Sequence, residues 1–126
     1  MDADSKPAPK PLIWIGDSIE KVRSFPEAVK SDLGVALFQA QLGGKHALSK
    51  PLRGIGPGVL EVVSDYRGNT FRAVYTVRLA GRVYVLHAFQ KKSKSGIATP
   101  QLEIDLIKQR LKRAIEMHES WEKQHG

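Results

Sequence analysis

FRAVYTVRLAGRVYVLHAFQKKSK, residues 71–94, is the stretch around which the chain is organised. Residues 74–77 (VYTV) and 83–86 (VYVL) have the β-branched and aromatic composition of strands. Ala80-Gly81 between them predicts a two-residue hairpin loop. That loop sets Leu79 opposite Arg82, and with it Arg72 opposite Phe89 and Val74 opposite His87. Upstream, VLEVVSDY at 59–66 is another strand, and the Arg67-Gly68-Asn69-Thr70 segment turns it into the hairpin. A turn centred on Gly68-Asn69 sets Asp65 opposite Arg72 and Glu61 opposite Thr76.

Alternation then sorts the side chains. One face collects Leu60, Val62, Phe71, Ala73, Tyr75, Val77, Leu79, Tyr84, Leu86 and Ala88; it is apolar and must lie under helices. The other carries Glu61, Asp65, Arg72, Thr76, Arg78, His87, Phe89 and Lys91, a polar, basic surface with one exposed aromatic ring.

Working outward, residues 12–15 (LIWI) form a short strand. Asp17 with Glu20 and Ser24 with Glu27 both have capping-box spacing and predict two helices, the second over 26–42. Val29, Leu33, Ala36, Leu37 and Ala40 line one face of that helix, and Gly43-Gly44 ends it. Gly34 inside it costs about 1 kcal/mol relative to alanine and marks an expected close approach. Thr99-Pro100 opens the last helix, along which Ile104, Ile107, Leu111, Ala114, Ile115, His118 and Trp121 keep helical spacing. Its other side, with Lys108, Lys112, Arg113, Glu116, Glu119 and Glu122, is a solvated or docking face. The order β-α-α-β-β-β-α predicts one α+β domain over 11–126, with a small, mostly antiparallel sheet, two N-terminal helices and one C-terminal helix. Residues 1–10 read as a flexible leader.

The chain has 126 residues, 41% of them hydrophobic, and no cysteine. That excludes disulfides, thiol catalysis and cysteine-ligated zinc. Without an apolar run of membrane length or a signal peptide, a cytoplasmic location is expected. The formal charge of +7 resides in residues 50–94, where nine basic residues face only Glu61 and Asp65. Localised positive charge on a sheet-forming segment favours a polyanion partner, although a basic surface without a ligand has the same composition.

Arginine forks match phosphates, and an exposed ring stacks on an unpaired base, so the basic sheet face is a plausible RNA platform. Arg53, Arg67, Phe89 and Lys94 are its expected RNA contacts. The bland alternative pairs Arg72 with Asp65 across the strands, worth under ~1 kcal/mol when exposed. His87 titrates near ~6.5 when unperturbed and suits acid–base catalysis, or is simply a hydrogen-bonded sheet histidine. No histidine has metal-ligand spacing, and neither a metal nor another cofactor is expected. Residues 54–58 (GIGPG) lack the lysine and following helix of a phosphate-binding loop and read as a plain loop.

The glycine-rich loop at 54–58, Glu61 in a strand, Arg72-x-x-Tyr75, the run Leu86-His87-x-Phe89-x-Lys91-Lys92, Thr99-Pro100 and a basic helix follow one another. This pattern, over about residues 50–113, resembles the phage-derived, HigB-like branch of the RelE/ParE toxin superfamily. The resemblance implies a RelE-like fold and the toxin of a type II toxin–antitoxin pair. Such toxins are ribosome-dependent mRNA endonucleases that work without a metal, and their partner here would be a helix-turn-helix antitoxin. By the same resemblance Arg72 is catalytic or phosphate-binding, with Lys91 and Lys92 beside it. Tyr75 matches the motif, yet the strand register sends it into the core. Many relatives carry a basic residue where this chain has Val63. The alternatives are a gyrase-poisoning, ParE-like inhibitor and a non-catalytic RNA-binding relative.

Overall fold

The computed structural model describes residues 8–91 and 99–125. The elements are β1 (Leu12–Trp14), α1 (Ser18–Arg23), α2 (Glu27–Gln41), β2 (Ser49–Pro51), β3 (Val59–Tyr66), β4 (Asn69–Thr76), β5 (Val83–Lys91) and α3 (Gln101–His125). The five strands lie in the order β1-β5-β4-β3-β2. Only β1 runs parallel to its neighbour; the other pairings are antiparallel. The expected α+β class and mostly antiparallel sheet are therefore present, with β2 as an edge strand within what read as a loop. No helix among the described residues is long and apolar enough to cross a membrane.

The hairpin register was legible only in part. Arg72 does pair with Phe89 and Val74 with His87. Between β3 and β4, however, the two-residue loop is Arg67-Gly68, both at positive φ (51° and 81°), with Tyr66 opposite Asn69. This mirror-image turn matches strand twist better than one centred a residue later. Its partners shift by two: Val63 faces Arg72 and Glu61 faces Val74. A shift of two preserves the faces but changes the neighbours. Glu61 moves next to Arg72, while Asp65 accepts a hydrogen bond from Thr70 (2.9 Å).

A second irregularity changes the faces themselves. The β4–β5 register slips between Val74 and Tyr75, so Tyr75 faces Val85 and Leu86 is the extra residue of a bulge. Before the bulge, Tyr84 and Leu86 have opposite parity to that expected. They join Val59, Val74 and Phe89 in a core under α3, which contributes Ile107, Leu111 and Ala114. Val83, Val85 and Ala88 pack with Val62, Phe71, Ala73 and Tyr75 against Val29, Leu33, Ala36, Leu37 and Ala40 of α2. The sheet is thus covered on both sides, and the expected open basic face does not exist: α3 lies across it. Tyr75 is buried on the α2 side, where its register placed it.

Local signals were met unevenly. Leu42, Gly43 and Gly44 end α2 as expected, with the Gly44 N–H on Gln39 O (2.8 Å) and the Gly43 N–H on Ala40 O (3.0 Å). Asp17 precedes α1 but makes no side-chain cap bond. Ser24 closes α1 instead of opening α2, and its hydroxyl donates to Lys21 O (2.6 Å). The glycine-rich loop is a plain loop pinned by Thr76, whose hydroxyl donates to Gly58 O (2.8 Å). Gly34 marks no close approach, since a Cβ there would meet nothing within 4 Å.

Gly34→Ala is therefore expected to stabilise the protein by about 1 kcal/mol, whereas Leu33→Ala, beside it but fully buried, should cost about 2–5 kcal/mol. Urea unfolding midpoints at constant m-value test both signs.

Candidate functional site

A cleft of about 900 Å³ opens between β2 with its following loop and the first turns of α3. Lys50, Arg53 and Lys108 supply its positive charge, and Glu61, Thr99, Gln101 and Ile104 are also among its lining residues. Strand pairing places the floor: β2 sets Lys50 directly opposite Glu61. Glu61 is only 3% exposed. Arg72 Nη1 donates to both carboxylate oxygens, at 3.1 and 3.2 Å. Thr99 Oγ1 donates to Glu61 Oε2 (3.3 Å) and accepts from Arg72 Nη1 (3.4 Å). Lys50 Nζ stands 3.7 Å from Glu61 Oε1. One buried carboxylate thus holds an arginine, a threonine hydroxyl and a lysine at the base of a basic cleft.

A second polar chain runs under α3. Arg110 Nη2 donates to Asp17 Oδ1 (2.7 Å), while its Nη1 donates to Leu86 O and to His87 Nδ1 (both 3.1 Å). His87 Nε2 lies 2.5 Å from Glu103 Oε2. A guanidinium can only donate, so Nδ1 must be the acceptor and the ring proton sits on Nε2, facing Glu103. Burial holds the His87 pKa below the usual histidine value, against the opposing pull of Glu103 and with the help of Arg110. The hydrogen bond from Arg110 likewise holds the Asp17 carboxyl below its usual value. The bulge makes this chain geometrically available, because Leu86 and His87 both turn toward α3. Gly16, at φ +57°, is required beneath it: a Cβ there would lie 2.8 Å from Arg110 Cζ.

The residues expected to form the site are dispersed. Arg72, His87 and Phe89 share a face as read, but all three are buried beneath α3. Phe89 is not an exposed stacking ring; it stacks on His87 at 5.3 Å between centroids. Arg53 is exposed and lines the cleft. Lys91 is half-buried at the end of β5, opposite Thr70. Arg67 sits in the β3–β4 turn over the Tyr66 ring (5.1 Å), six residues along the strand from Glu61, or roughly 20 Å. Lys92 and Lys94 lie outside the described residues.

Lys50, Lys108, Glu103, Arg110, Asp17 and Thr99 were overlooked as site residues. Lys108 read as part of a solvated or docking face and Lys50 as one of the nine basic residues of 50–94, and only the fold sets them on opposite rims of one cleft. Arg110 and Asp17 are 93 residues apart, and no local pattern connects them. His118, placed by helical spacing on the inner face of α3, is buried there, with Nδ1 2.9 Å from the Tyr84 hydroxyl. Among the described residues no group of three or more His, Asp or Glu side chains is arranged to hold a metal ion.

A family model described as phage-derived protein Gp49-like matches residues 20–112. No curated protein matches the chain. Among solved structures, the E. coli toxin RelE in its free state, as a double arginine-to-alanine mutant, is 18% identical, with a TM-score of 0.54. That alignment covers 84% of this chain and 98% of the toxin. The toxin–antitoxin complex RelBE2 from Mycobacterium tuberculosis is also similar, with 18% identity, a TM-score of 0.46 and coverage of 71% of this chain and 100% of that one. The likeness to RelE shows a common fold.

Two outcomes test the buried chemistry. Arg72→Ala, which strands a buried carboxylate, should destabilise by about 3–5 kcal/mol; Arg72→Met combined with Glu61→Gln should cost less, as read by urea titration. His87 is neutral in the fold, with its pKa depressed relative to the unfolded chain. Its contribution is complete above about pH 6.5. As pH falls below that, the unfolded chain takes up the proton first and stability declines toward the folded-state pKa. His87→Gln should flatten that decline between about pH 7 and 5, measured as the pH dependence of the unfolding free energy.

Proposed function

The chain belongs to the phage-derived Gp49-like family, and we propose that it is the toxin of a type II toxin–antitoxin pair that cleaves mRNA on the ribosome. The observation that carries this reading is the basic cleft over a buried, fully engaged carboxylate (Lys50, Arg53 and Lys108 above Glu61) in a chain with the fold of the toxin RelE. A strand of RNA requires a cationic groove, and three cations from two facing elements supply one without phosphate-loop architecture. In this reading the partners are the ribosome, mRNA and a helix-turn-helix antitoxin, and the protein acts in the cytoplasm.

The reaction is a transesterification. The ribose 2′ oxygen forms a bond to the adjacent phosphorus as the bond to the 5′ oxygen breaks, leaving a cyclic phosphate and a 5′ hydroxyl. The nucleophile is already attached to the substrate, so positioning accounts for much of the rate. Cations around the cleft stabilise the extra charge on the phosphate oxygens. Lys91 and Lys92 are the proposed proton carriers, and Lys94 extends the phosphate contacts. Arg72 acts through Glu61, holding the cleft floor, and is a positioning residue. His87 has both ring nitrogens engaged and secures α3.

A second reading is favoured by that same engagement. With Arg72 and His87 engaged, proton transfer rests on Lys91 and Lys92 alone; if neither moves a proton, the protein is an inhibitor that binds without cutting, on RNA or on gyrase.

Induced expression should arrest translation and yield cleaved mRNA. Arg53→Ala with Lys108→Ala should relieve both, because these exposed residues can be removed without unfolding the chain. Arrest with intact mRNA selects the inhibitor, and harmless expression with intact mRNA would falsify the toxin reading.

A further inference from the structure

Further along α3 than the basic cleft lies a second, smaller groove of about 440 Å³. Lys108 lines both. The floor of the second groove is aliphatic: Ile55 from the glycine-rich loop, and Leu111 and Ile115 from α3. The charges on the helix side change sign along the axis. Lys108 and Lys112 stand at the cleft end, and Glu116 leads the acidic end. From Lys108 to Glu116 is eight residues, about 12 Å.

We infer that this groove is a nucleotide slot, which takes one unpaired base of the RNA while Lys108 and Lys112 hold its phosphate. The inference rests on the proposed RNA-cleaving function and adds a specificity site to it. Three observations favour a nucleotide over a protein segment. The groove shares Lys108 with the cationic cleft, so a strand held in the cleft passes within reach of it. Its charge is ordered as a nucleotide requires, cations toward the phosphate and a carboxylate toward the base, where amino groups of cytosine, adenine or guanine are donors. Its apolar floor comprises only three residues, shorter than the i, i+3, i+4, i+7 set of anchors by which a helix binds a groove. One flat base covers such a floor by burial of apolar surface.

Ile55 is the specificity-determining side chain. It belongs to the loop rather than to α3, and its loop is braced against β4 and the residues after it. Thr76 bonds Gly58 O, and Gly58 abuts Arg78 so closely that a Cβ would lie 2.7 Å from Arg78 Cβ. The slot is therefore bounded by a held wall on one side and a helix on the other.

The test uses the full chain and two fluorescent single-stranded RNAs of equal length, one ordinary and one with abasic riboses at every position. The wild type should bind the ordinary RNA about fivefold to tenfold more tightly at the same salt. Ile55→Asp should bring the ratio close to one, while the dependence of affinity on salt is retained, since phosphate contacts remain. Wild-type binding that is salt-dependent but indifferent to the bases overturns the slot, leaves the cleft as the RNA site and hands the groove to an apolar protein segment. Absence of RNA binding off the ribosome also overturns the slot, whereas the RNA-cleaving reading stands or falls on the state of the mRNA after induced expression. A base preference that survives both Ile55→Asp and Ile115→Asn, with the circular dichroism of each variant unchanged, also overturns the assignment.

Discussion

The extra residue in β5 is the constraint on which the rest of the structure depends. A strand with strict alternation would turn Leu86 and His87 to opposite faces of the sheet. The bulge at Leu86 lets both point toward α3, and it returns Val83 and Val85 to the α2 side. An amphipathic helix of 25 residues thereby gains an apolar floor in Tyr84 and Leu86, together with a polar anchor in His87. Burial of apolar area on both faces is the larger driving force. The polar anchor fixes where along its axis the helix rests. Arg110 joins the β1–α1 turn to β5, and Glu103 joins β5 to the first turn of α3, so the helix is tied near its start and a third of the way along.

Helix position in turn makes the cleft. Thr99, Gln101, Ile104 and Lys108 form its α3 rim, while Lys50 and Arg53 form the opposite one. The Glu61–Arg72 pair lies where rim and floor meet. Buried ion pairs seldom add much stability relative to apolar replacements, because desolvation offsets the attraction. This pair does fix geometry. Thr99, at the mouth of α3, shares both partners of the pair. The cleft and the hydrophobic core are therefore not separable: a change that moves α3 alters both.

Charge is distributed according to this geometry. The basic residues of the 50–94 run meet different fates. Arg72 is neutralised inside by Glu61, whereas Lys50 and Arg53 reach the cleft. Lys108 joins them from a helix whose exposed face passes from basic (Lys108, Lys112, Arg113) to acidic (Glu116, Glu119, Glu122). Arg82, in the same run, donates to the Tyr84 hydroxyl and lies over the Trp121 ring (4.7 Å), where it secures the far end of α3. A count of basic residues therefore overstates the surface available to a polyanion, and the cleft concentrates what remains.

Several features were determined by the sequence alone. Helical spacing identified the buried face of α2 residue by residue, because a 3.6-residue period leaves one solution for an isolated apolar stripe. Tyr75 belonged in the core, since a shift of two in register cannot change its face. The order of motifs from Glu61 to Thr99-Pro100 pointed to the RelE fold. Tertiary structure decided the rest. A bulge carries no local signature in VYVLHAF, so the parity of Tyr84 and Leu86 could be settled only by what packs on each face. Burial of Arg72, His87 and Phe89 followed from the placement of α3, as did the use of Glu103 and Arg110 as partners of His87, while the β3–β4 register brought Glu61 to Arg72. Those partners lie 11 to 23 residues away in the chain, and Arg110 also reaches Asp17, 93 residues off. Pairings at such separations are set by the packing of whole elements, not by any pattern within one.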